Sequence, residues 1–197
     1  MGQLPPVIAV FDINVYLNVA RLVGEPYSKI MLHTRLIKPT HDPSERLKLI
    51  IESAKLVAVT TSGVFAGNQS LQIWTSDWIV KGTINVAKRP VSDKGLGWGL
   101  ANAQALEADL IFGTAVGPSN GLQLPTNKSA KFDGLSSDDA QVLSTALEAL
   151  SQNPSSQVIC VTNDTAFRNT TWNGGVLMMT SGEFLTLITA SRKALSL

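Results

Sequence analysis

Three aspartates are the residues of this chain best suited to chemistry. Asp12 directly follows the short apolar run Val7-Ile8-Ala9-Val10-Phe11. Asp164 comes after the apolar run Val158 to Thr162, with Asn163 between. Asp139 stands where Ser136-Ser137-Asp138-Asp139 opens a helical pattern, and Val142, Leu143, Ala146 and Leu150 follow it at helical spacing. It therefore falls in line with that buried stripe, whereas Asp138 is turned about 100° away. Asp139 is expected to point into a crevice, and Asp138 outward or into a capping role. With no Cys or His beside them, three converging carboxylates make a hard oxygen donor set. Such a set suits Mg²⁺ or Mn²⁺, which keep several waters and take phosphate as a remaining ligand. A site of this kind polarises a phosphodiester, holds the attacking water and neutralises the developing charge. Each piece also has a structural reading: Asp after a strand is common turn chemistry, and Ser-Ser-Asp-Asp is ordinary helix capping.

The elements that must position these residues follow from periodicity. Val7 to Phe11 reads as a strand buried on both faces. Val15, Val19, Leu22 and Val23 then mark a helix that stops at Gly24 and Pro26. Further helices are expected from Ser28 to Ile37 and from Ser44 to Leu56, the latter with Leu47, Ile50, Ile51 and Ala54 on one face, separated by a turn from Pro39 to Pro43. Leu71 to Thr75 is the next strand, and Ser76 caps a helix to about Lys88. A loop from Val91 to Trp98 leads to a helix from Leu100 to Val116. Gly117 to Lys131 reads as a loop with at most a short strand at Leu122 to Leu124. Val158 to Thr162 and Val176 to Thr180 are the remaining strands, the last followed by a helix capped at Ser181. Strands alternating with helices imply an α/β fold, a three-layer α/β/α sandwich around a largely parallel sheet. One domain is expected over residues 1–197, with a longer helical and loop insertion around 25–70. In such a sheet ligands bind beyond the carboxyl ends of the strands, where Asp12 and Asp164 stand.

Composition narrows the field. Lys and Arg number 16 and Asp and Glu 15, a net charge of +1 over 197 residues, which excludes a basic tail protein or an acidic disordered chain but leaves room for a local basic patch. The single cysteine, Cys160, excludes a disulfide scaffold and a zinc ribbon, and its place inside an apolar strand makes it core. His33 and His41 fit no metal-binding spacing. Gly95-Leu96-Gly97-Trp98-Gly99 lacks the dinucleotide spacing, and there is neither a phosphate-binding Gly-Lys-Ser/Thr loop nor a Gly-x-Ser-x-Gly turn. Asp12-Ile13-Asn14 lacks the second Asp of an aspartyl-phosphate phosphatase. Met1 to Pro6 carries no basic leader, and Val7 to Phe11 is far too short to span a membrane, so the expected compartment is the cytoplasm. Lys81, Lys88, Arg89 and Lys94 cluster around the helix after the second strand, with Lys128, Lys131 and Arg168 in loops near the acids. With Trp78, Trp98 and Trp172 they would supply phosphate and stacking contacts for single-stranded RNA, or else form a solvated face over core tryptophans.

At this point the residues resemble a family. Val-Ile-Ala-Val-Phe-Asp-Ile-Asn-Val, from Val7 to Val15, looks like the opening strand and Asp-Thr-Asn-Val motif of PIN-domain nucleases, with Ile13 where Thr is usual. Ser137 to Leu143, running on to Ala146 and Leu147, looks like the acidic helix start of that family. Val158 to Asp164 with Phe167 looks like its strand ending in Thr-(Gly/Asn)-Asp, and Val176 to Leu185 is similar to its closing strand and terminal helix. The resemblance implies a Mg²⁺- or Mn²⁺-dependent endoribonuclease hydrolysing phosphodiester bonds of single-stranded or structured RNA. Asp12, Asp139 and Asp164 would be the catalytic, metal-binding carboxylates. Asn14, Asn163, Asp138 and Asp77 would support them, and Lys81, Lys88, Arg89 and Arg168 would contact RNA. Many small members are toxins of toxin–antitoxin pairs, so the expected partners are RNA, a cognate antitoxin protein and a second copy in a homodimer, with no membrane. The alternative is a catalytically silent regulatory module that binds nucleic acid or protein. One departure favours it. The family usually places a fourth acid about six residues beyond a Ser on the helix after the second strand, and counting from Ser76 gives Gly82. Asp77 is five residues away, about 7.5 Å and more than a turn.

Overall fold

A strand with no polar side chain on either face is stable only where both faces are covered. Accordingly β1 (Val7–Phe11) is buried at all five positions and lies at the centre of the sheet. The computed structural model describes residues 4–37, 44–115, 134–169 and 174–194. Within them five strands form one sheet in the order β2-β3-β1-β4-β5. These are β2 (Val64–Ala66), β3 (Gln69–Trp74), β4 (Gln157–Val161) and β5 (Leu177–Met179), beside β1. Ala9 of β1 is flanked in parallel register by Ile73 of β3 and Ile159 of β4, and β5 continues parallel to β4. Only the edge strand β2 runs antiparallel.

The helices are α1 (Ile13–Val23), α2 (Lys29–Ile37), α3 (Glu45–Thr60), α4 (Asp77–Lys88), α5 (Leu100–Leu106), α6 (Gly113–Ala115), α7 (Ser137–Gln152), α8 (Thr165–Arg168) and α9 (Ser181–Ala194), with a π-helical turn Glu107–Phe112 between α5 and α6. α3 packs on α1, α2 and α9, while α4 packs on α5 and α7, and α7 lies against β1 and β4. This is the expected α/β sandwich with a mostly parallel sheet.

The topology selects where a ligand can bind. The connection leaving β1 travels to the β2–β3 hairpin on one side, and the connection leaving β4 travels to β5 on the other. The strand order therefore reverses between β1 and β4, and a crevice opens beyond their carboxyl ends. Asp12 follows β1 there and Asp164 follows β4.

Several boundaries differ from the sequence expectation. α3 runs past Leu56 to Thr60; of the expected face Ala54 is buried, while Leu47, Ile50 and Ile51 are only partly covered and Ser53, Leu56, Val57 and Thr60 are buried instead. The reason is tertiary: α3 is covered by α1 and α9 together, which buries Ser53 as well as its apolar neighbours. A hairpin unforeseen in the sequence joins β2 to β3 through Gly67, at φ 53. The helix expected over Leu100 to Val116 is interrupted by the π-helical turn. The loop from Val91 begins with a short 3₁₀ turn, Val91–Asp93. Finally, α9 is capped by Thr180, not Ser181. Thr180 Oγ1 accepts from the Glu183 N–H at 3.1 Å and Glu183 Oε2 accepts from the Thr180 N–H at 2.7 Å, a reciprocal capping box that leaves Ser181 buried and free for another role. The turn at Pro39 to Pro43, the loop from Gly117 to Lys131, His41 and Trp172 lie outside the described residues. No helix among the described residues is long and apolar enough to cross a membrane.

Candidate functional site

Asp12 is placed by both neighbouring strands. Its N–H donates to the Val161 carbonyl at 2.9 Å, so the backbone passes from β1 into α1 while still joined to β4. Its carboxylate is only 3% exposed. Asp12 Oδ2 accepts from Thr162 Oγ1 at 2.8 Å and from Asn14 Nδ2 at 3.4 Å. The same Thr162 hydroxyl accepts from the Asp164 N–H at 3.1 Å. One buried threonine thus fixes both strand-end acids relative to each other. Asp164 is also the N-cap of α8, its Oδ1 accepting from the Phe167 N–H at 3.0 Å. Ser136 caps α7, and its hydroxyl lies 2.6 Å from Asp139 Oδ2.

Burial pushes the Asp12 carboxyl up to about 6, opposed by the Thr162 hydrogen bond and reinforced by the charge of Asp139. Asp139 is also raised, chiefly by burial, with Asp164 and Asp138 adding repulsion and Ser136 opposing it. Asp139 therefore stands close enough to both strand-end acids to raise Asp12 and to be raised by Asp164. Cys160, fully buried in β4, is pushed well above the ordinary thiol range by burial and by these acids, which suits an inert core residue.

A cavity of about 870 Å³ opens at the switch point. Asp12, Asp138, Asp139 and Asp164 line it together with Arg21, Arg46, Arg89 and Lys94. Of the expected residues, Asn14 and Arg89 line it as well. Asp138, expected outward or capping, is exposed and lines the cavity, because Ser136 supplies the cap. Asn163 lies behind the wall, Asp77 and Lys81 pair with each other at 3.2 Å on exposed α4, and Lys88 is exposed outside the cavity. Arg168 faces Glu183 at 3.9 Å instead. Trp98 is buried and Trp78 is 41% exposed; neither lines the cavity. Lys128 and Lys131 fall outside the described residues.

The sequence reading missed Thr162, Arg21 and Arg46. Arg21 had a local signal: Asn14, Leu17 and Arg21 recur at helical spacing on one side of α1, within about 100° of its circumference with Ile13, and all four line the cavity.

The donor set consists of hard carboxylate and hydroxyl oxygens, the chemistry that Mg²⁺ and Mn²⁺ select. Among the described residues, however, no three Asp, Glu, His or Cys side chains gather closely enough to enclose a metal ion. The arrangement fits a cation that keeps most of its waters and takes one or two carboxylates, the usual mode of Mg²⁺, and does not fit a dehydrated all-protein cage.

The two departures from the PIN pattern touch each other. A Cβ at Gly82 would overlap Ile13 Cδ1 and lie 3.4 Å from its Cγ1. Ile13 thus fills the space into which a side chain at position 82 would project. Gly82→Ala gains about 1 kcal/mol of helix propensity and meets overpacking of about 1–3 kcal/mol, so a small net loss is expected. In an Ile13→Val background the colliding methyl is absent, and Gly82→Ala should instead stabilise by about 1 kcal/mol. Denaturant unfolding of the four proteins measures this coupling; additive effects would break the pairing.

No protein-family model matches the chain, and no curated protein or solved structure matches it.

Proposed function

We propose that the protein is a metal-dependent endoribonuclease of PIN type that hydrolyses phosphodiester bonds of RNA with Asp12, Asp139 and Asp164. The observation that carries this reading is a single cavity at the sheet's switch point lined by four aspartates and four cationic side chains. Acids alone would suit a bare cation and cations alone a bare anion. Both together suit a phosphate chain bound with a divalent cation.

In this reading Asp12 and Asp164, joined through Thr162, would hold the cation. When bound, Mg²⁺ or Mn²⁺ supplies Lewis-acid polarisation of a phosphoryl oxygen and neutralises developing charge. Asp139 Oδ1 accepts the proton of the attacking water, a role that suits a carboxyl held above its ordinary range. Arg89 and Lys94 orient the phosphate chain. RNA as substrate accords with a cytoplasmic location, and a cognate antitoxin and a homodimer belong to the same proposal.

The purified protein should cleave a labelled single-stranded RNA in Mn²⁺ or Mg²⁺, stop in EDTA, and lose cleavage in Asp164→Asn. Undiminished cleavage by that variant would overturn the assignment. A second reading, a silent binding module, is favoured by the lack of a three-acid cluster among the described residues and by Gly82. Calorimetry separates the two: stoichiometric Mn²⁺ uptake lost in Asp12→Asn supports the enzyme, and RNA binding without Mn²⁺ uptake supports the module.

A further inference from the structure

Arg21 lies in the last turn of α1, roughly 13 Å along the helix axis from Asp12. It lines the same cavity, with Asn14 and Leu17 between them on the helix surface. Arg46, in the first turn of α3, lines the cavity too. Partial burial holds the Arg21 guanidinium below its ordinary pKa, and Arg46 is close enough to add repulsion in the same direction. Among the described residues neither forms an ion pair. Two cations brought together, one half-buried and neither ion-paired among the described residues, are held at a cost that an anion would relieve.

Arg21 is also aimed rather than loose. Its Nη1 donates to Asn18 Oδ1 at 3.1 Å, and buried Asn18 donates through Nδ2 to Ser53 Oγ at 3.2 Å. Ser53 accepts as well from Asn163 Nδ2 at 3.1 Å, and Asn163 immediately precedes Asp164. A continuous hydrogen-bonded path therefore runs from the guanidinium to the turn carrying a strand-end carboxylate. The path leaves the remaining guanidinium N–H groups of Arg21 for a ligand, and a fixed fork matches phosphate oxygens.

We propose that Arg21 and Arg46 bind a backbone phosphate of single-stranded RNA that flanks the phosphate held at the carboxylates. The assignment rests on the RNA reading above and adds a subsite to it. The Asn18–Ser53–Asn163 path keeps that subsite in register with Asp164, so the chain is gripped at two points along one groove.

The test is binding, measured without cleavage. A fluorescein-labelled single-stranded oligoribonucleotide is titrated in EDTA by anisotropy across a range of salt concentrations. Each phosphate contact contributes about 0.7 to the slope of log affinity against log salt for a single strand. Arg46→Gln, an exposed position, should lower the slope by part of that amount, and Arg21→Gln/Arg46→Gln by about 0.7, the loss of one phosphate contact. Lys55→Gln, exposed on α3 away from the cavity, should leave it unchanged. An oligonucleotide with one neutral methylphosphonate linkage should lose affinity for the wild type at one position and show no further loss there with the double variant. Unchanged slopes, an equal drop in Lys55→Gln, or no RNA binding by the wild type would each overturn the subsite. Cleavage assayed separately keeps the two claims apart. Slopes that fall as expected without cleavage in any divalent metal retain the subsite and sink the nuclease; cleavage with unchanged slopes does the reverse.

Discussion

Asp12→Asn is expected to abolish RNA cleavage and at the same time to make the fold more stable. The substitution keeps the shape of the side chain and its capacity to accept from Thr162 while removing the charge. In the native protein that charge is 3% exposed, and burial, with Asp139 nearby, raises the carboxyl from 3.8 to about 6. An acid whose folded pKa exceeds its unfolded value binds its proton more tightly in the native state. Stability therefore falls as pH rises from about 4 to about 6, and above that the full cost of the buried charge is present, about 3 kcal/mol. Asn carries no such cost. The variant and the wild type should unfold at similar temperatures near pH 3.5 and separate through pH 4–6. Above pH 7 the variant should be higher by roughly 6–12 °C. Thermal unfolding followed at several pH values checks this. A variant that is less stable than the wild type at pH 7.5 would show that the Asp12 charge is compensated within the fold, and that the site is structural. A gain in stability joined to a loss of turnover is the pattern of a group retained for its chemistry.

The positions of Asp12 and Asp164 were legible because each follows a run of residues that can only be a covered strand. Val7 to Phe11 and Val158 to Val161 contain no polar side chain, and a polar residue directly after such a run must emerge at a strand end. That the two ends are neighbours was not legible. It depends on β1 pairing with β4 across nearly the whole chain, a non-local choice that no local period encodes. Asp139 was placed correctly in line with its helix stripe, but the burial that makes it half-buried comes from how α7 meets β1 and β4. The cationic side was harder. Arg21 and Arg46 belong to different helices and become one feature only when α3 packs along α1. Lys81, Lys88 and Arg89 lie close in sequence, yet of the three only Arg89, just past the end of α4, lines the cavity. The hairpin at Gly67 and the capping box at Thr180 were legible in principle, since Gly-Asn between two short apolar runs and Thr-x-x-Glu before a stripe are local signals. Each was hidden by a neighbour of similar type, Ser62-Gly63 before the hairpin and Ser181 after the cap.

Ser53→Ala should have the largest structural effect of any single-atom deletion near the site. Ser53 is fully buried in α3, and its hydroxyl joins four partners. It donates to the Leu49 carbonyl at 2.8 Å, accepts from Asn18 and from Asn163, and lies 3.1 Å from Ser181 Oγ. Removing it strands the Asn18 amide and weakens the hold on Asn163, and each unsatisfied buried group costs about 1–3 kcal/mol. A loss of about 2–4 kcal/mol is expected in denaturant unfolding, against near-neutrality for Thr34→Ala, whose hydroxyl makes an exposed bond to the Ile30 carbonyl on α2. Asn163 keeps its bonds to Ser181, through Oδ1 at 3.0 Å and Nδ2 at 3.2 Å, so the turn before Asp164 loosens rather than unravels. Ser181→Ala removes an acceptor from the same Asn163 and a contact from the same Ser53. The losses in the double variant should therefore fall short of their sum, as expected for one shared network. Strict additivity would mean that the two serines act independently. In RNA binding, Ser53→Ala should weaken affinity in the wild-type background and have little further effect once Arg21→Gln has removed the arm that Asn18 orients. An equal effect in both backgrounds would mean that Ser53 contributes only stability.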